Sequence, residues 1–292
     1  MPDLDALLDR IGLDSAPPPT LAGLDALQRA FVARVPFEDL AIHLGETEPL
    51  DLDRVQERVL AGGRGGYCFE LNGLFAWMAE QLGFGVQRRE SVVGPRDVPS
   101  PTNHLGLVVT PQDAGPRLAE VGFGQGPLQT LPLAEGRHTL AGSSFSWSLA
   151  QEDDGGWWWT FDEHVAVPGI RIGAGAVGYD AFAPHHERVS TSPESRFVQT
   201  LVVQRPSADR FVSLRARTVA VDGPGHRDRR LVAGADDLAE VLDATFGIDP
   251  DVLGPARIER LWERAAAQHE AWERAAAQHE AWERTAAASA GA

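Results

Sequence analysis

The chain has one cysteine, and its setting suits covalent chemistry. Cys68 lies in Arg64-Gly65-Gly66-Tyr67-Cys68-Phe69-Glu70-Leu71-Asn72, where a glycine-rich turn (Gly62, Gly63, Gly65, Gly66) gives way to a helical pattern of Leu71, Leu74, Phe75, Met78 and Leu82. Glycines permit positive φ and close backbone approach, so the turn can be sharp. A helix starting at about Cys68 directs its unpaired N–H groups and positive dipole end at the sulfur. Both favour the thiolate, which is the nucleophile. The alternative for a free cysteine is a small buried hydrophobe.

A cysteine nucleophile needs a base, and the base needs a third group to hold its tautomer. Of the nine histidines, His104 is best placed. It opens the strand pattern His104-Leu105-Gly106-Leu107-Val108-Val109, behind a loop containing Pro99, Pro101, Thr102 and Asn103. Glu120 ends the next strand, before Val121-Gly122-Phe123-Gly124, and a turn at residues 113–116 makes the two strands antiparallel neighbours. Spacing alone leaves a purely structural His–carboxylate pair open.

Three kinds of element must position these groups. Up to residue 85 the pattern is helical: residues 3–13, residues 20–33 capped by Thr20, a third helix at 51–61, then the Cys68 helix. Between them lie the rigid Pro17-Pro18-Pro19 connector and a break at residues 35–40. From Val86 the pattern turns to short strands at 86–93, 104–110, 118–121, 144–150 and 157–161, which suggests a small antiparallel barrel or sandwich. Residues 162–188 have little period and read as a crossing segment. Residues 191–254 are mixed, with strands at 197–204 and 210–220 and a helix at 235–246. The fold class is therefore α+β.

The remaining residues, 255–292, carry a repeat whose copies begin at Trp262, Trp272 and Trp282. Their alanines, glutamates and arginines favour helix, with i,i+4 pairs at Glu270–Arg274 and Glu280–Arg284. A ten-residue repeat rotates by about −80° per copy, so the tryptophans spiral and form no coiled-coil seam. The expectation is a solvated accessory helix.

Composition narrows the function classes. A net charge of −16 argues against nucleic acid as a partner. A small anionic cofactor needs only a local cluster, for which Arg64, Arg88, Arg89, Arg96 and Arg117 are candidates. One cysteine excludes an intramolecular disulfide and suits a reducing cytosol. No apolar run approaches the ~18 residues of a membrane span, and the acidic N-terminus lacks a signal peptide's features. The expected protein is soluble and cytoplasmic. His185-His186 has no evident partner ligands and His269-Glu270 and His279-Glu280 lack the second histidine of a zinc motif, so no metal is expected. Gly122-Phe123-Gly124-Gln125-Gly126 lacks the register of a nucleotide fingerprint, and residues 226–230 read as a solvated loop cluster.

Cys68 in Arg-Gly-Gly-Tyr-Cys-Phe-Glu-Leu-Asn, His104 before its strand, and Glu120 in Glu-Val-Gly-Phe-Gly together resemble the arylamine N-acetyltransferases. The resemblance extends through residues 11–13, 36–40, 190–197 and 246–248, covering about residues 3–250. It implies an N-terminal helical bundle (1–85), a central β-barrel with a crossing segment (86–190) and a C-terminal α/β lid (191–254), leaving the tryptophan repeat outside. It also implies a papain-like triad of Cys68, His104 and Glu120 across the first two. The implied activity is ping-pong acetyl transfer from acetyl-CoA, as co-substrate, to an arylamine or hydrazine through a Cys68 acyl-enzyme. Phe37, Val92, Phe123 and Phe197 would line the acceptor pocket, and Gly124 would lie near the CoA arm. The family's acid is usually Asp. The extra methylene of Glu120 moves the carboxylate out by about 1.5 Å, so His104 must shift or the strand relax.

Other readings share parts of this pattern. A related amide synthase would use the same triad to release a polyketide chain as a macrolactam. A thiol hydrolase would pass the acyl group to water, and a silent scaffold would act only through its tryptophan tail.

Overall fold

The computed structural model describes residues 2–290, with side chains through Gln278. Trp282, the Glu280–Arg284 pair and His279-Glu280 therefore lie outside the described residues. The N-terminal helices are α1 (Leu4–Arg10), capped by Asp3, and α2 (Leu21–Arg34), capped by Thr20. A two-residue strand β1 (Phe37–Glu38) and a short helix α3 (Leu40–Leu44) follow the Val35-Pro36 break. Next come α4 (Leu52–Leu60), whose Asp51 cap accepts from the N–H groups of Asp53 and Arg54, and α5 (Cys68–Gln81). Helix α5 is apolar nearly all round, so it forms the bundle's central member. Leu71, Leu74, Phe75 and Met78 pack there with Leu24, Leu27 and Phe31 of α2.

The antiparallel barrel runs β2 (Gly85–Val93), β3 (His104–Thr110), β4 (Arg117–Ala119), β5 (Leu131–Pro132), β6 (Gly136–Thr139), β7 (Ser146–Gln151), β8 (Trp157–Thr160) and β9 (Gly169–Ile172). Spatial order is β5-β4-β3-β2-β9-β8-β7-β6, and residues 133–135 join the two edge strands, so the barrel is nearly closed. Its interior is aromatic: Trp147, Trp159 and Phe161 meet at edge and tilted angles, while Phe145 stacks on Phe211 at 4.1 Å. The expected crossing segment is more ordered than its composition implies. Gly169–Ile172 joins β2 to β8, a 3-10 turn occupies Tyr179–Phe182, and helix α6 spans Ala183–Thr191. Four alternating residues between Pro168 and Gly173 are too few for a periodicity signal.

The C-terminal layer begins with α7 (Arg196–Gln199), so Phe197 is helical rather than in the expected strand. Ser195 Oγ accepts from the Phe197 N–H and starts that turn. Strands β10 (Val202–Pro206), β11 (Phe211–Arg215), β12 (Thr218–Gly223) and β13 (His226–Leu231) then form an antiparallel sheet, and β1 adds to its edge against β10. The expected strand at 210–220 is a hairpin. It turns at Ala216, with φ 48°, where no Gly, Asn or Pro announces a turn. Residues 226–230, expected as a loop, form the exposed edge strand β13.

Helices α8 (Ala235–Phe246), α9 (Pro250–Leu253) and α10 (Pro255–Ala290) complete the layer. Helix α10 is no mere accessory over its first turns: Ile258, Leu261 and Ala265 are buried against Leu40, Leu44 and the apolar face of α8. Gln268 Oε1 accepts from the Leu201 N–H at 2.9 Å. The solvated helix that the repeat implies begins after His269, with Glu270–Arg274 paired at 3.6 Å and Trp272 exposed. Among the described residues no helix is long and apolar enough to cross a membrane.

Candidate active site

The turn before Cys68 is built by charge as well as by glycine. Gly62 and Gly63 have φ of 65° and 79°. Gly65 is needed for another reason, since a Cβ there would fall 1.8 Å from the Pro36 carbonyl oxygen. Glu38, fully buried, accepts from Arg64 Nε at 2.9 Å, the Gly65 N–H at 3.2 Å and the Leu40 N–H at 2.7 Å. Burial opposes ionisation of Glu38, but Arg64 and these donors outweigh it and hold the carboxyl below its usual range. Arg58 donates to the Gly65 carbonyl at 2.8 Å and pairs with Glu70, which accepts from the Tyr67 N–H at 3.1 Å. The loop is thus pinned on both sides, and Cys68 emerges as the first residue of α5.

Strand register brings the other two groups together. Leu107 pairs with Ala119 and Val108 with Leu118, so His104 and Glu120 lie on one face of neighbouring strands. His104 Nε2 is 2.8 Å from Glu120 Oε2, and both side chains are buried. Nδ1 is left for the thiol. Burial lowers the His104 pKa, while the Glu120 charge and hydrogen bonds with Cys68 and Glu120 raise it further, to about 10. The Cys68 Sγ also lies 3.5 Å from the Asn103 carbonyl oxygen. A histidine beside a cysteine at a helix N-terminus can serve as the base for a sulfur nucleophile.

The longer acid is accommodated without parting the pair. Glu120 Oε1 accepts from Asn72 Nδ2 at 2.8 Å and from the Gly122 N–H at 2.7 Å. Asn72 also donates to the Leu105 carbonyl at 2.7 Å and accepts from the N–H groups of Val121 and Gly122. Gln28 Oε1 accepts from the Glu120 N–H at 3.0 Å, and Gln28 Nε2 donates to the Pro127 carbonyl. A Cβ on Gly122 would lie 2.7 Å from Cys68 Cα, so its absence lets the strand end approach the helix.

Sequence reasoning assigned no role to Asn72, Gln28 or this use of Gly122. Two signals were present: Asn72 lies one helical turn after Cys68, and Gln28 interrupts the apolar stripe of Leu24, Leu27 and Phe31.

The pocket residues divide. Phe37 and Phe197 have ring centroids 6.3 Å apart, and Phe197 lies 5.2 Å from the ring of Tyr67, the neighbour of Cys68. Phe123 packs on Phe161 at 4.9 Å, inside the barrel. Val92 does not join them. It pairs with Arg171 and lines an outer groove with Arg96, Val98 and Trp158. Ser91 pairs with His104, so the two-residue alternation of β2 puts Val93 on the His104 face and Val92 on the other. Gly124 is buried; a Cβ there would meet Gln204 Cβ at 2.3 Å and Phe37 Cβ at 2.9 Å. The arginines considered for an anionic cofactor do not converge. Arg64, Arg88 and Arg96 pair with Glu38, Glu80 and Glu152, while Arg89 and Arg117 donate to the carbonyls of Gly173 and Thr130.

A family model described as N-acetyltransferase matches residues 20–252. The arylamine N-acetyltransferase of Mycolicibacterium smegmatis is 34% identical over 85% of this chain and 92% of its own length. That of Mycobacterium tuberculosis is 30% identical, over 86% and 91%. Among solved structures, the Mycobacterium marinum arylamine N-acetyltransferase in complex with CoA superposes with a TM-score of 0.80 at 28% identity, covering 89% of this chain and 99% of that one. The Mycobacterium abscessus enzyme gives 0.81 at 28%, covering 91% and 95%. The match takes in helix α5 and strands β3 and β4, around which Cys68, His104 and Glu120 lie, as well as the C-terminal sheet, and it makes this chain a member of the arylamine N-acetyltransferase family of acyltransferases.

Proposed function

We propose that the protein transfers an acetyl group from acetyl-CoA to an arylamine or hydrazine by a ping-pong route through Cys68. The observation that carries this reading is the buried His104–Glu120 pair at 2.8 Å beside a cysteine at the start of α5. His104 takes the Cys68 proton, and Glu120 holds the imidazolium that results. The thiolate adds to the thioester carbonyl carbon, the carbonyl π electrons move to oxygen, and their return expels CoA, whose sulfur receives the proton from His104. First-turn N–H groups of α5 are the candidate donors to the oxyanion.

Donor and acyl-enzyme are both thioesters, so this half-reaction is nearly isoenergetic. In the second half the amine nitrogen adds to the acetyl carbon, His104 receives the amine proton, and Cys68 leaves as thiolate. Phe197, close to Tyr67, and Phe37 beside it offer an aromatic wall for the acceptor.

Intact mass after incubation with acetyl-CoA alone tests the first half. One acetyl group mapped to Cys68, discharged rapidly by an aromatic amine and slowly by water, is expected. Absence of acetylation at Cys68 would remove the proposal.

A further inference from the structure

Glu120 reaches His104 although it is one methylene longer than the acid usual in the family, and its stem must go somewhere. Both ends of the residue are fixed. The Glu120 N–H is held by Gln28 at 3.0 Å, and the carboxylate is held by Asn72, Gly122 and His104 at 2.8, 2.7 and 2.8 Å. The bond to the Gly122 N–H, two residues on, is the kind an Asp side chain makes without strain. A Glu side chain making the same bond must bow its extra methylene sideways.

The space it bows into is above Gly126. The Gly126 N–H donates to the Phe123 carbonyl at 2.8 Å, which folds the loop after β4 back over Glu120. A Cβ on Gly126 would lie 3.3 Å from Glu120 Cγ, 4.0 Å from Glu120 Cβ and 3.0 Å from the Phe123 oxygen. The 4.0 Å approach is ordinary contact; the 3.3 Å approach requires the stem to move.

We infer that Gly126 is a positioning residue whose missing side chain allows a glutamate to serve as the third member of the site, so that Glu120 and Gly126 act as a coupled pair. This inference rests on the reading of Cys68, His104 and Glu120 as the acyl-transfer site. Gly126 touches no reacting atom. Its effect passes through the Glu120 carboxylate to His104 and so to the charge state of Cys68.

The test uses four full-length proteins: wild type, Gly126→Ala, Glu120→Asp and the double variant. The pH dependence of Cys68 alkylation by iodoacetamide reads thiolate formation independently of acetyl-CoA. In the glutamate chain Gly126→Ala should raise the alkylation midpoint by about one pH unit, slowing alkylation below the midpoint about tenfold. In the aspartate chain the same change should cost less than about twofold. Crowding of the Phe123 oxygen is common to both chains and cancels in the ratio.

Equal factors in the two chains would overturn the inference. If Gly126→Ala fails to fold while the double variant folds, the coupling is supported through stability. If both fail to fold, the Phe123 contact dominates and the inference falls. Coupling in alkylation from a wild type that takes no acetyl group would sink the proposed activity and leave the pair standing.

Discussion

Two buried imidazole–carboxylate pairs occur among the described residues, and they differ in the donors around the acid. His104 and Glu120 meet at 2.8 Å, and the glutamate accepts three hydrogen bonds in all. His43 of α3 and Asp39, the residue before that helix, approach only to 3.6 Å. Asp39 Oδ1 accepts from the Val202 N–H at 2.8 Å, but Asp39 Oδ2 and His43 Nε2 have no hydrogen-bond partner among the described residues. Burial therefore prevails at Asp39 over the attraction of the nearby His43 ring and the Val202 N–H, and its carboxyl is pushed up to about 6. At His104 the balance runs the other way: burial lowers its pKa, yet Glu120 and Cys68 hold it up. Proximity of ring and acid does not make a site able to hold charge. The number of donors aimed at the acid does.

The sharpest way to break that contrast is Glu120→Gln. The amide keeps the shape, removes the charge and presents an NH₂ that competes for the ring nitrogen. Loss of the tautomer-fixing acid in comparable triads costs several powers of ten, so Cys68 acetylation should slow by about a thousandfold in quenched-flow mass measurements. A loss below about tenfold would mean that the charge on Glu120 is idle.

Asn72→Ala makes the first pair more like the second. It deprives Glu120 Oε1 of one donor, the Val121 N–H of its acceptor and the Leu105 carbonyl of its donor, all buried. Stranded buried groups cost about 1–3 kcal/mol each when unsolvated, so a destabilisation of about 3 kcal/mol is expected in chemical denaturation. Acetylation should slow about tenfold, with the Glu120 charge still present. An unchanged acetylation rate alongside the stability loss would show that Asn72 supports the fold without supporting the acid.

The His104–Glu120 pair was legible in the sequence and the second pair was not. Cys68 heads a helix whose apolar period is plain, and His104 and Glu120 punctuate strands bounded by Pro and Gly, so local pattern and motif agreed. What escaped was set by long-range register. The face of β2 on which Val92 lies, away from His104, is visible only once Ser91 pairs with His104. Phe37–Glu38 joins β10 across most of the chain, and no local signal marks a two-residue edge strand. Helix α10 looked solvated because its repeat is rich in Ala, Glu and Arg. Yet Ile258 and Leu261, before the first full copy, supply its buried face.

Asp39→Asn tests the second pair from the stability side. A carboxyl raised from its ordinary value of 3.8 to about 6 stays neutral in the folded chain after it has ionised in the unfolded one. Its stabilising contribution is therefore complete below about pH 4 and is lost as pH rises through about 6. A rise of that size corresponds to about 3 kcal/mol at most. Asparagine keeps an oxygen for the Val202 N–H and never ionises. Relative to wild type, the variant should thus gain stability between about pH 4 and pH 7, read as the difference in denaturation midpoints. A difference independent of pH would mean that Asp39 ionises normally in the fold.

Gln268→Ala asks whether the second pair communicates with the first. Gln268 Nε2 lies 3.4 Å from His43 Nδ1 while its oxygen accepts from the Leu201 N–H, so it links α10 to α3 and β10. The nearest route to Cys68 runs from Asp39 to its neighbour Glu38, whose carboxylate is already saturated by Arg64, Gly65 and Leu40. Saturation insulates it: a shift at His43 leaves Glu38 with every oxygen still bonded. Losing the one acceptor of a partly buried N–H should cost about 1 kcal/mol, with the rate of Cys68 acetylation within about twofold of wild type. A rate loss approaching that of Asn72→Ala would place His43 and Asp39 inside the working network, and the distinction drawn from donor number would then need a path through α3 to explain it.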